Sequence, residues 1–354
     1  MIVIGSDPHK TNFSFAAVEA VTGELRSSEA VKASAAEFDR VLQWARKLDE
    51  QRVWAIEDCR HVSGRLERFL LARGERIVRV SPKLMAGARQ SARSRGKSDQ
   101  IDAIAVARAA LREGVEMLPA GQLEGPELDV RLLVDHHDDQ VAIRTAKQGR
   151  LRWHLHDLEC PIEVPTGGLD RDVWLDRLGR WLSRQPQDAR VRIARTLVVE
   201  IRAITREVRQ LQRDLEALVA GLAPQLLAER GCGPLTAAKL LGEIAGAQRF
   251  ATDAKLARTA GVAPIPASSG RSDRHRLDRG GNRQLNCALH RLAVNKGRWD
   301  PESADYLARK QAEGKTRMEA LRCLKRHLAR RVWHLLTQPT PNPASALDTA
   351  LALT

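Results

Sequence analysis

Four acids in the first third of the chain have the types and spacing to hold hard metal ions. Asp7 follows the apolar run Ile2-Val3-Ile4 and closes an expected strand, and Glu57 follows a second expected buried strand at 52–56. Asp99 and Asp102 stand three apart, so on a helix they share one face. The carboxyl ends of strands in an α/β sheet are where ligands bind. Carboxylates gathered at one such place repel each other without counter-charge. Hard divalent cations with oxygen ligands remove that repulsion, and Mg²⁺ is the expected ion. Two ions roughly 3.5–4 Å apart activate a nucleophile and stabilise the leaving oxygen of a phosphodiester. Each acid alone has a plainer reading, as a helix N-cap or a solvated side chain. Asp58 competes with Glu57, since strand alternation sends the two to opposite faces.

Two basic stretches accompany these acids. Residues 89–97 place Arg93, Arg95 and Lys97 just ahead of Asp99, either to hold phosphate beside the metals or as a solvated loop. Further on, Ser268-Ser269-Gly270 is followed by Arg271, Arg274, His275, Arg276 and Arg279, then Gly280-Gly281-Asn282. A serine hydroxyl here attacks a phosphodiester if a base or metal helps deprotonate it. The alternative is a serine turn before a basic DNA-contacting loop. Upstream, GCGPLTAAKLLGEI at 231–244 reads as a Gly-rich turn with Pro234 in the first helical turn, like one hairpin of a helix-hairpin-helix element. Exposed amides at such a helix start bind phosphate.

The elements that must position these residues follow from periodicity. Residues 1 to about 115 read as α/β, with strands at 2–4, 13–18, 24–31, 52–56 and 76–80, helices at 36–48 and 66–71, and a further helix from Asp99. Pro119, Gly121, Gly125 and Pro126 mark a linker, and a helix is expected at 128–158 with a shorter one at 173–182. Over 191–222, Leu197, Ile201, Ile204, Val208, Leu211, Leu215, Leu218 and Leu222 alternate steps of four and three, a heptad seam. The seam serves a helical hairpin within the chain, a coiled-coil dimer, or both. Residues 231–336 read as compact and mostly helical, and the Pro-, Ala- and Thr-rich tail from Pro339 as disordered.

The chain of 354 residues carries 58 Lys and Arg against 44 Asp and Glu, a formal net charge of +14. An Arg-dominated excess of that size points to a polyanion, and guanidinium forks suit phosphate. No apolar run approaches the roughly 20 residues that span a bilayer, and the N-terminus lacks the pattern of a signal peptide, so no membrane partner and a cytoplasmic setting are expected. The five cysteines form no CxxC pair, which argues against a zinc site and a disulfide frame.

Taken in order, these motifs resemble the DEDD-class transposases of bacterial insertion sequences, the bridge-RNA-guided serine recombinases. GSDPHK carries Asp7 and Lys10, WAIEDC carries Glu57, and GKSDQIDA carries Asp99 and Asp102. GCGPLTAAKLLGEI, Arg249-Phe250, LARTAGVAP, SSG and GGNRQLNCAL follow, so the match covers about residues 2 to 337. Asn286 stands where the family motif usually has a basic residue. The resemblance implies an α/β plus α chain. Its divisions would be a RuvC-like, RNase H-type domain over 1–115, linker and coiled-coil helices over 116–223, a serine-containing transposase domain over 224–337, and the tail from 338.

It further implies that Asp7, Glu57, Asp99 and Asp102 bind Mg²⁺ and that Ser269, the serine before the glycine of SSG, forms a phosphoserine link to DNA. The composite site would join domains of two protomers in a dimer or tetramer, and a structured guide RNA would supply sequence choice in a bacterial, nucleoid-associated enzyme. The expected nucleic-acid contacts are Lys10, Arg93, Arg95, Lys97, Arg150, Arg271, Arg274, Arg276, Arg279 and Asn282. A junction-resolving nuclease of RuvC type, using the four acids and water, is the alternative.

Overall fold

The structure is a computed structural model that describes residues 1–57, 60–82, 84–85, 99–121, 125–267, 275–278 and 280–338. The first strands are β1 (Ile2–Pro8), β2 (Asn12–Glu19) and β3 (Leu25–Lys32), an antiparallel meander. β4 (Arg52–Glu57) and β5 (Ile77–Val80) continue the sheet parallel to β1, giving the order β3-β2-β1-β4-β5. Parallel neighbours need crossovers. Helices α1 (Ala35–Leu48) and α2 (Arg60–Leu71) supply them on one face, and α3 (Asp99–Glu113) covers the other. This is the α/β, RNase H-type arrangement expected from the sequence.

Alternation sorts the two faces. Ile2, Ile4, Trp54 and Ile56 pack with Phe38, Val41, Leu66 and Leu70 beneath α1 and α2. Val3, Val53, Ala55, Val78 and Val80 pack with Val106, Ala107, Ala109 and Ala110 beneath α3. Trp54 also donates Nε1–H to Glu75 at 2.9 Å, and Arg52 pairs with the same carboxylate. Arg79 and Glu67 form a fully buried ion pair at 2.7 Å, with Ser63 donating to Glu67 at 2.6 Å.

The chain divides into two compact units. One comprises Met1–Gly125, Ala228–Cys232 and Glu243–Thr354, and the other Pro126–Leu227 with Gly233–Gly242. In the second, α4 (Pro126–Asp157) lies against α6 (Ala189–Leu222), with α5 (Asp172–Leu182) between them in sequence. Lys147 pairs with Glu200 and His136 with Glu207, so the two long helices run antiparallel. Leu197, Ile201, Val208, Leu211 and Leu215 are buried as the heptad predicts, but Thr205 and Val219 are buried where Ile204 and Leu218 were expected. An α-helix of 3.6 residues per turn drifts about 20° per heptad from a 3.5 repeat, which moves the buried stripe by one position. The seam is occupied within the chain by the hairpin.

Short α7 (Pro224–Leu227) and α8 (Pro234–Ile244) follow. The first unit resumes with α9 (Asp253–Thr259), a two-stranded hairpin of β6 (Ile265–Pro266) and β7 (His275–Arg276), then α10 (Arg283–Trp299), α11 (Pro301–Ala312) and α12 (Arg317–Thr337). Helices α9, α10 and α11 all pack on α12. Thr316 and Glu319 form a capping box that starts α12. Among the described residues no helix is long and apolar enough to cross a membrane. The tail from 339 lies outside the described residues.

Candidate metal centre at the carboxyl end of the sheet

Asp7 sits near the end of β1 with only 4% of its surface exposed. Parallel pairing sets Ser6 opposite Ile56, so Glu57 ends β4 in the strand beside Asp7. Val3 and Asp7 share one face of β1, as Val53, Ala55 and Glu57 share one face of β4, and that face is the one α3 covers. Asp58 lies outside the described residues.

Helix α3 brings the other two acids. Its first turn carries both Asp99 and Asp102; Asp102 is 6% exposed, whereas Asp99 is open to solvent. The helix reaches the sheet through small residues, Ala103, Ala107 and Ala110, on Gly5 and its neighbours. A Cβ at Gly5 would collide with the Ala103 carbonyl oxygen and lie 2.6 Å from the Ala107 amide nitrogen. Only glycine permits this approach, which sets the start of α3 over the end of β1.

His9 completes the group. Its Nε2 lies 3.3 Å from an Asp7 oxygen and 3.5 Å from an Asp99 oxygen. Ligand atoms of Asp7, His9 and Asp99 all fall within 4.8 Å of one another. Sequence reading passed over His9; its signal was the Asp-x-His spacing at a strand end. One buried carboxylate, one exposed carboxylate and an imidazole form a donor set that fits a divalent cation.

The other expected residues are placed unevenly. Lys10 is exposed in the β1–β2 turn, Arg276 is exposed on β7, and Arg150 is exposed on α4 in the second unit. Asn282 is committed within the fold. Its Oδ1 accepts from the Gln284 and Leu285 amides to cap α10, and its Nδ2 donates to Glu243 at 2.6 Å. Asn286 is likewise engaged, donating to the Ala260 and Gly261 carbonyls and accepting from Lys325. Arg93, Arg95, Lys97, Ser268, Ser269, Arg271, Arg274 and Arg279 lie outside the described residues.

Among the described residues, a hydrogen bond joins the C-terminal segment to the acid-bearing end of the sheet. Ser81, just past β5, donates its hydroxyl to the Gly280 carbonyl at 2.9 Å. Lys255 to the Glu116 carbonyl and Arg258 to Glu113 tie α9 to the far end of α3.

Comparison with known proteins decides the family. A model described as "Transposase IS116/IS110/IS902 family" matches residues 223–308, and a DEDD-type IS110 model described as "Transposase" matches residues 4–159. The chain belongs to the IS110/IS116 family of insertion-element transposases. A protein of insertion element IS116 from Streptomyces clavuligerus is 28% identical, with 97% of each chain covered. One of insertion element IS110 from Streptomyces coelicolor is 35% identical over 57% of this chain and 51% of its own. Among solved structures, Thermus thermophilus RuvC is similar at 21% identity and a TM-score of 0.28, covering 34% of this transposase and 100% of that chain. As a member of that family the protein is a DNA transposase, and its carboxylate cluster lies in the part matched by the DEDD model.

Proposed function

We propose that this transposase cuts and rejoins DNA in a Mg²⁺-dependent, RNA-guided reaction that passes through a phosphoserine. The observation that carries the reading is the convergence of Asp7, His9 and Asp99 at the carboxyl end of the sheet, with Glu57 and Asp102 on flanking elements. Asp7, Glu57, Asp99 and Asp102 would hold the metal, and His9 adds a nitrogen donor. When bound, the ions supply electrostatic stabilisation to the charged oxygens of a phosphodiester in displacement.

The chain's own residues do the rest. The Ser269 oxygen bonds to phosphorus as a DNA phosphorus–oxygen bond breaks, so the phosphoester stays on the protein until a DNA hydroxyl displaces the serine. Lys10, Arg276 and the arginines flanking Ser269 hold backbone phosphates, and the basic face near Arg150 holds structured RNA. Base pairing then reads sequence while protein reads backbone. Residues 1–115 act as the metal domain, 116–223 as the helical linker and 224–337 as the serine domain. In a dimer or tetramer the serine domain of one protomer meets the acids of another, which requires the Ser81–Gly280 contact within a chain to open.

The test is cleavage of labelled element-junction DNA with Mg²⁺ and the RNA encoded beside the gene. Asp7→Asn and Asp102→Asn are expected to lose cleavage. Full cleavage by both variants would overturn the metal assignment.

A further inference from the structure

A cavity of about 750 Å³ lies in the C-terminal part of the first unit, between β7, α11 and α12. That is within the range of ligand pockets, roughly 300–1,000 Å³. Lysines and arginines outnumber carboxylates on its wall. The carboxylates are already engaged: Glu313 with Lys310 at 2.8 Å, Glu319 with the start of α12 and Asp278 with the Gly280 amide at 2.7 Å.

Lys325 is the telling residue. Three lysines are buried among the described residues, Lys239, Lys296 and Lys325. Lys239 pairs with Asp138 and Lys296 with Glu229. Lys325, 6% exposed, instead donates to the neutral Asn286 Oδ1 at 2.8 Å, and among the described residues no carboxylate pairs with it. Burial and the nearby Arg322 push its ammonium below the usual lysine range. A buried charge without a counter-charge is costly. An anion in the cavity removes that cost, with Arg276 and Arg322 on the same wall.

The cavity also holds an aromatic surface. Tyr306, the only tyrosine in the chain, meets His327 edge-to-face at 5.3 Å between centroids, and both line the space. Phosphate beside an aromatic ring is the chemistry of an unstacked nucleotide. The cavity opens beside β7, the strand that follows the Ser269 segment in the chain.

We infer that this cavity seats one nucleotide of a single DNA strand, its phosphate on Lys325, Arg322 and Arg276 and its base against Tyr306 and His327. The choice of a DNA strand as source rests on the proposed strand-transfer reading; the pocket chemistry stands without it.

The probe is a short fluorescein-labelled single-stranded oligodeoxynucleotide, titrated into full-length protein and read by anisotropy. Lys325→Met weakens binding about tenfold and Lys325→Arg restores it. Tyr306→Leu weakens it about tenfold and Tyr306→Phe leaves it unchanged. Lys325→Met also takes the donor from the Asn286 Oδ1, so Lys325→Arg, which keeps the charge and a donor, is the folded control. Oligonucleotide binding also slows alkylation of Cys323, which lines the cavity. Unchanged affinity in both Lys325→Met and Tyr306→Leu overturns the pocket, and with Mg²⁺-dependent cleavage intact it leaves the transposase reading standing. Displacement of the oligonucleotide by an equal concentration of mononucleotide overturns the assignment to a strand.

Discussion

Gly5 on β1 lies directly against the backbone of Ala103 on α3, closer than any side chain at position 5 would permit. That contact fixes the height of α3 over the sheet, and Asp102 is the next residue back along the helix. Gly5→Val is expected to lift α3 away. Overpacking of this kind costs about 1–3 kcal/mol. The melting temperature should fall and Mg²⁺-dependent cleavage should fall further than the stability loss explains. A variant with wild-type melting and cleavage would show that the approach does not position the acids.

Metal binding by the acids has a signature separate from activity. A ligand that binds only the folded state raises its stability, by about 2.7 kcal/mol at a hundred times its Kd. Mg²⁺ should therefore raise the wild-type melting temperature. Asp7→Asn and Asp102→Asn should lose that rise, while His9→Ala should weaken it. Equal rises in wild type and both Asn variants would place the ion elsewhere.

The hairpin changes how association must be tested. Leu215 is fully buried and Leu211 nearly so within the chain, so lysine at either position damages the unit itself. Outward-facing Ile193 and Val199, 46% and 67% exposed on α6, are the better probes. Ile193→Lys with Val199→Lys should lower the mass seen by light scattering and leave melting unchanged. An unchanged mass would exclude both of these exposed positions from the interface.

Acid lability should trace to named carboxylates. Burial pushes the Glu229 carboxyl up, but hydrogen bonds from Lys296 and Arg331 outweigh it and hold it below the usual range. Glu75 is held down in the same way by Arg52 and Trp54 against its own burial. A depressed folded pKa contributes stability above the unfolded value near 4.5 and loses it as pH falls through the lower folded value. Glu229→Gln should flatten that part of the stability curve. A curve of wild-type steepness would remove Glu229 from the cause.

Nucleic-acid affinity should fall steeply with salt, because each lysine or arginine contact with phosphate releases counterions. Affinity for junction DNA that barely changes between low and moderate salt would contradict a phosphate-led interface on a chain of charge +14.

Much of this was legible in the sequence, for local reasons. The five strands and the helices at 35–48 and 189–222 announce themselves by period, since one buried face suffices to write a pattern. The placement of Asp7 and Glu57 near strand ends and of Asp99 and Asp102 in a first helical turn was legible because such ends are marked by turn chemistry. His9 was not, since its role depends on Asp99, ninety residues away, folding back onto β1. The one-residue shift of the α6 stripe was hidden because Ile204 and Thr205 both satisfy a helical face and only packing chooses between them. The bond of Asn282 to Glu243 was hidden because Glu243 is remote in sequence. Lys325 carries no motif at all. Its isolation is a property of what surrounds it after folding.

The most direct measurement asks whether the protein becomes covalently attached to DNA. Protein, the adjacent RNA, Mg²⁺ and labelled element-junction DNA are mixed and run on a denaturing gel, with Ser269→Ala and Asp102→Asn alongside. A wild-type adduct lost in both variants is the predicted result. Metal-dependent cleavage without an adduct, unaffected by Ser269→Ala, would contradict the phosphoserine route and leave a junction-resolving nuclease of RuvC type.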